Sequence, residues 1–279
     1  TVSGMIVAAM MSAAPCASAG DRYLIGFTDN ATEAQRNAAL AHLGAANIEA
    51  FDALALVAAD VPQAKVARLD AATLGGLGVL SIEEDFYTIW LVNGPALSVL
   101  PALPTMSEVR SLLPAFQRAG APQIPLPPGV DAAEVPWGIK RVNAAAAWAK
   151  TEGQGVRVAV VDTGIDANHP DLRGQVDGGY NAVTRGGSLF DDNSHGTHVA
   201  GTIAAHRDGK GVVGVAPKVR LYAVKVLDAQ GGGRLSSIIK GIVWCGRNGI
   251  QVANMSLGAP IGSVFMRMAV QYAASRGVP

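Results

Sequence analysis

In this chain of 279 residues, 22 Lys+Arg balance 22 Asp+Glu, so no basic patch argues for nucleic acid and no acidic tail for cations. The 49% hydrophobic content is weighted to alanine, and no apolar run reaches the roughly 18 residues that a membrane-spanning helix requires. The length suits one medium domain with a smaller one beside it.

Residues 1–19 do not read as part of a fold. Met5–Met11 is a short apolar run, and the small residues after it end in Ala17-Ser18-Ala19, the A-x-A pattern of a cleavage site. This is the layout of a secretory signal remnant without its positively charged start, and it points to a secreted, extracellular protein. An Ala-rich tail or a lipid-bearing Cys16 is the alternative. With that segment removed, Cys245 is the only cysteine, so no internal disulfide forms. It stands in Ile242-Val243-Trp244-Cys245, an apolar helical stretch, where a buried structural thiol is expected.

Residues 20–92 alternate strand-like and helix-like patterns. Tyr23–Phe27 reads as a strand and Thr32–Leu43 as a helix with Ala34, Ala38, Ala41 and Leu43 near one face. Ala53–Val61 reads as a second strand, Gln63–Leu69 as a short helix after Pro62, and Val79–Glu83 as a last strand. This order predicts a small α+β module of ferredoxin-like type. Residues 93–130 are punctuated by prolines from Pro95 to Pro128, with room for a short helix over Met106–Arg118, and read as a linker.

From 131 to 279 a strict alternation sets in. Helices are predicted over Ala144–Lys150, Ser194–His206, Leu235–Arg247 and Val264–Ser275. Apolar strands are predicted over Val156–Val161, Arg220–Val226 and Gln251–Met255. Buried strands separated by helices mean an α/β, doubly wound parallel sheet, whose functional groups gather at the carboxyl ends of the strands.

The motifs stand where that rule puts them. Val158–Asp166, VAVVDTGID, places Asp162 at the end of a buried strand before a glycine turn. Asn193–Thr202, NSHGTHVAGT, places His195 in the first turn of a helix that Ser194 or Asn193 can cap. An imidazole held by a buried aspartate serves as a general base near neutral pH. His195 and His198, at i and i+3, can also be read as a metal clamp with Asp162. His198 is otherwise expected as a structural histidine packed behind the site.

VAVVDTGID, HPDL, NSHGTHVAGTIAA, GVAP, LYAVKVL and ANMSLG stand in the order and spacing of the subtilase family, and from Val135 onward the chain resembles that family. The resemblance implies a subtilisin-like fold, incomplete here, and a serine endopeptidase whose triad runs Asp…His…Ser. It makes Asp162 and His195 the first two members. It assigns Gly231, Gly232 and Gly233, with Ser256, Leu257 and Gly258, to two segments that flank a polypeptide substrate and pair with it as strands. Leu235 and Ile238 would wall the channel further along. It implies a structural Ca²⁺ held by Asp171, Asp208 and the carbonyls of His206, Lys210 and Val212. Ala133 stands where the family often offers an amide, a gap that Asp131 or Glu134 would fill. Gly78–Asp85, GVLSIEED, resembles the end of the subtilase propeptide, which makes residues 20–92 an intramolecular inhibitor and folding template. The family's oxyanion-hole asparagine and serine nucleophile would follow Pro279, and neither Asn254 nor Ser256 replaces them. The 279 residues alone are therefore expected to hydrolyse no peptide bond. Two other readings stay open: a non-catalytic protein that inhibits proteases through its N-terminal module, and a metal-dependent hydrolase using Asp162, His195 and His198.

Overall fold

The computed structural model describes residues 22–91, 126, 128, 130–259 and 262–279. The expected signal remnant with Cys16, and nearly all of the expected linker with its Met106–Arg118 helix, lie outside these residues.

The N-terminal module runs β1 (Arg22–Phe27), α1 (Glu33–Leu43), β2 (Ala46–Phe51), β3 (Leu56–Asp60), α2 (Gln63–Val66), α3 (Ala71–Gly76), β4 (Val79–Glu84). Its sheet has the order β2-β3-β1-β4 with every pair antiparallel, the split-βαβ order of a ferredoxin-like module. Local chemistry sets the helix: Thr32 and Gln35 form a capping box, and Gly44 at φ 67° closes the other end in the left-handed region. The strand predicted over Ala53–Val61 forms as β3, after a turn that ends in Ala55 at φ 48°, while β2 was not predicted. Most of β2 is exposed, so it carries no apolar alternation to read. The helix expected over Gln63–Leu69 stops at Val66, and Asp70 caps a separate α3.

Both faces of this small sheet are used. Ile25 and Phe27, with Val57 and Ala59, pack under Ala39, Leu40 and Leu43 of α1. Leu24, Leu56 and Ala58 point the other way and share a core with Phe265 and Ala269 of the C-terminal unit. Gly26 lies on that second face because a Cβ there would run into the ring of Phe265, which is fully buried.

The C-terminal unit contains α4 (Trp137–Arg141), α5 (Ala145–Trp148), β6 (Arg157–Asp162), a 3₁₀ turn (Pro170–Leu172), β7 (Val176–Asn181), α6 (His195–Ala204), β8 (Arg220–Lys225), β9 (Gly232–Arg234), α7 (Leu235–Arg247), β10 (Val252–Asn254) and α8 (Val264–Ser275). Its main sheet has the order β10-β6-β8-β7, all parallel. Alternate residues of β6 face opposite layers. Val158 and Val160 meet Ala200 and Ala204 of α6, whereas Ala159 and Val161 meet Ile238 and Ile242 of α7. The sheet is thus covered on both sides, which is why its strands read as continuous apolar runs. The predicted α7 and α8 match in full. β7 was not legible because VDGGYN holds two glycines and no apolar run. Cys245 is fully buried in α7, as expected, and burial pushes its thiol up to about 12.

Candidate active site

β6 delivers Asp162 to its carboxyl end, where the side chain is fully buried. The Nδ1 of His195 lies 2.8 Å from Asp162 Oδ1 and 3.0 Å from Oδ2. The imidazole is 29% exposed, so one edge meets the carboxylate while the ring stays open to solvent. Among the described residues Nε2 has no hydrogen-bond partner. Gly196, next in the helix, allows this approach: a Cβ there would collide with the carbonyl oxygen of Gly164.

The helix start is held differently from the expectation. Ser194 sits at φ 88° and its side chain caps nothing. Asn193 contributes one weak bond, Oδ1 accepting from His195 N at 3.3 Å. The strong acceptor is Asp191, which is buried and takes the N–H groups of Asn193, Ser194 and Thr197 at 3.0, 2.9 and 2.8 Å. Burial works to raise its carboxyl, but donation from Thr197, Thr163 and these amides outweighs it and holds Asp191 below the ordinary carboxylate value. Sequence reasoning missed Asp191; the available signal was an acidic pair placed just ahead of a helix N-terminus.

The glycine and Ser-Leu-Gly segments leave strands next to β6. Residues 228–233 follow β8, and Ser256–Gly258 follow β10; β8 and β10 both pair directly with β6. Asn193 Nδ2 donates to Ala229 O at 2.9 Å, which ties the first segment to the turn before His195. Between the two segments lies β5 (Tyr87–Ile89), antiparallel to β9, with Tyr87 opposite Arg234, Thr88 opposite Gly233 and Ile89 opposite Gly232. Trp90 continues the run. Its N–H donates to Gly231 O at 3.0 Å, its indole N–H to Gly233 O at 2.8 Å, and its carbonyl accepts from Gly258 N at 3.1 Å. All three glycines and Gly258 are therefore brought together around one extended strand. Leu257 packs at the edge of the core that contains Trp90, Leu91, Leu235 and Ile238. Ser256 is exposed, and its hydroxyl accepts from Asn254 Nδ2 at 2.9 Å.

Upstream of β5, two carboxylates reach helices of the C-terminal unit. Asp85, 1% exposed, accepts from Ser236 N and Ser236 Oγ at 2.8 Å each, at the start of α7, and pairs with Arg22 at 3.3 Å. Glu83 accepts from Val264 N at 2.9 Å and Ser263 Oγ at 2.7 Å, at the start of α8. Each places a negative charge on the positive end of a helix. Sequence reasoning noticed GVLSIEED and not these roles.

The residues expected to hold a cation lie around the turn over 206–212. Asp171 O accepts from His206 N at 2.9 Å, its Oδ2 accepts from Val212 N at 3.1 Å, and its carboxylate lies against Gly211. Glu134, buried, accepts from Asp208 N at 2.8 Å and Gly209 N at 3.2 Å, while Asp208 Oδ1 accepts from Lys210 N at 3.1 Å. Among the described residues no group of three or more His, Cys, Asp and Glu is placed to hold a metal ion. That removes the Asp162–His195–His198 clamp, whose Nδ1 is in any case committed to Asp162. His198 is exposed on α6 and not packed behind the site as expected.

Residues 153–278 match the sequence profile of the subtilase family, peptidase S8. The chain is similar to subtilisin Savinase from Lederbergia lenta, 55% identical over 148 residues, covering 53% of this chain and 54% of that protein. It is similar to the alkaline protease of Shouchella clausii, 55% identical over 148 residues, covering 53% and 38%. The chain spans about half the length, or less, of the curated relatives it matches. Among solved structures it resembles fervidolysin from Fervidobacterium pennivorans, a keratinolytic enzyme related to subtilisin. The TM-score is 0.65 at 24% identity, over 92% of this chain and 38% of that one, a likeness of fold. Over residues 153–278, the chain is similar to the subtilase family.

Proposed function

We propose that the protein is a secreted precursor of a serine endopeptidase and that Asp162 and His195 are the orienting acid and the general base of its triad. The observation that carries the reading is the hydrogen-bonded couple at the end of β6, flanked by two segments that already pair with an extended strand. In the reaction His195 Nε2 would take the proton of a serine hydroxyl as its oxygen attacks the scissile carbonyl. Asp162 would keep the other nitrogen protonated and stabilise the imidazolium. The imidazolium would return that proton to the departing amine as the scissile C–N bond breaks, and water activated at the freed nitrogen would then hydrolyse the acyl-serine. The polypeptide substrate would lie as a strand between Gly231–Gly233 and Ser256–Gly258. Among the described residues no serine hydroxyl bonds to Nε2, so these residues supply orientation and a base without an attacking group.

In this reading residues 20–92 are an inhibitory propeptide. β5 and Trp90 occupy the channel, while Glu83 and Asp85 hold the module to α8 and α7. A structural calcium ion would sit at the turn over 206–212, held by Asp171, Asp208 and the carbonyls of His206, Lys210 and Val212, and it would contribute rigidity and no chemistry. Reaction of a longer form of the protein with a fluorophosphonate probe tests the proposal. One serine should label, labelling should fail in His195→Ala, and the 279-residue chain should not label. Labelling that ignores His195 would sink the assignment.

A further inference from the structure

We infer that Asp191, acting through Thr163, is a positioning residue that sets the imidazole of His195 against Asp162. The inference rests on the proteolytic reading only for what the couple does; the geometry stands by itself. Thr163 follows Asp162 in the chain, is fully buried, and uses every polar group it has. Its N–H donates to Asp162 Oδ1 at 2.7 Å, so it shares the oxygen that faces His195. Its carbonyl accepts from the buried ammonium of Lys225, which also pairs with Asp192 at 2.7 Å. Its hydroxyl donates to Asp191 Oδ1 at 2.7 Å and accepts from Gly196 N at 3.0 Å.

Asp191 closes the other half of the frame. Beyond the three amides it caps, its Oδ2 accepts from the hydroxyl of Thr197 at 2.6 Å. One carboxylate therefore holds both the turn that carries Asp162 and the first turn of the helix that carries His195. A helix cap alone would need the amides of α6 and nothing from β6. The bond to Thr163 joins the two elements, and orientation errors below an ångström between such groups carry large rate penalties. The frame also fixes which nitrogen is protonated, because only the Nδ1–H tautomer satisfies Asp162 at this distance.

The test reads the tautomer and needs no turnover, so its failure is separable from failure of the protease assignment. ¹⁵N-histidine spectra of the 279-residue chain, with His195 assigned by its loss in His195→Gln, report the Nδ1–H and Nε2–H populations. In the parent and in Thr163→Ser the Nδ1–H form should dominate. In Asp191→Asn and Thr163→Val the minor tautomer should rise at least about tenfold, since each loses a hydrogen bond made to a charged group. Unchanged His195 populations in both variants would overturn the inference. So would unfolding of both while Thr163→Ser stays native, because the carboxylate would then serve the fold and not the couple.

Discussion

Glu83, Glu84 and Asp85 are adjacent acids with very different surroundings, and truncating each to alanine should separate them. Asp85 is 1% exposed, receives two bonds of 2.8 Å from the first turn of α7, and pairs with Arg22 at 3.3 Å. Hydrogen bonds to a charged group contribute about 1.5–3 kcal/mol each. Arg22 is not stranded by the change, since Glu49 and Asp60 remain within 3.2 Å, which keeps the loss below that of a broken buried pair. Asp85→Ala should therefore cost about 2–4 kcal/mol. At roughly 2–4 °C per kcal/mol for a unit of this size, the thermal midpoint should fall by about 4–16 °C. Glu83 makes two bonds at a partly exposed helix start and should cost about 0.5–1.5 kcal/mol. Glu84 is exposed and should stay within about 0.5 kcal/mol of the parent. Circular-dichroism melts of the three variants of the 279-residue chain give the ranking directly. If Asp85→Ala and Glu84→Ala melt within a degree of each other, the cap on α7 contributes nothing and the reasoning fails.

Other expectations follow from the same packing. Gly26→Ala should overpack the Phe265 contact at about 1–3 kcal/mol. Phe265→Ala should cost about 3–5 kcal/mol, and the double variant less than the sum because the new methyl enters the vacated space; urea titrations of the four chains measure the coupling. For Glu152, burial works to raise the carboxyl, but Lys218 and Arg207 outweigh it and hold it below its ordinary value of 4.5. The stabilisation is thus present above that value and lost as pH falls through the lower folded one, and Glu152→Gln should flatten this part of the acid limb in denaturant titrations. Cys245, with its thiol pushed up to about 12, should resist alkylation at pH 8 until the chain unfolds, as mass spectrometry would show.

Much of the fold was legible because its cores follow clean periods. α7 and α8 carry apolar stripes, and the runs around Val160 and Val224 are buried on both faces, so periodicity alone places them. Asp162 and His195 were legible for a different reason: each sits where a strand ends or a helix begins, and these boundaries carry strong local signals. What escaped was pairing at long range. β5 and β9 are three residues each, glycine or polar in part, and exist only because they meet across more than 140 positions of sequence. β2 escaped because solvent lies on most of it. Asp191 escaped because its five donors come from residues 163 to 197, and only folding brings Thr163 to it. His198, expected behind the site, is exposed instead.

The small sheet with two occupied faces has a consequence for timing. Its outer face is closed by its own helices, but Leu24, Leu56 and Ala58 are dry only while α8 covers them. A cut between the two units would leave that face to water, and a module of about 70 residues has little stability in reserve. Leaving and unfolding then become a single event, and an unfolded chain presents the extended backbone that a protease handles most readily. The clasp would behave as a one-way latch: firm while closed, and discarded in the act of opening.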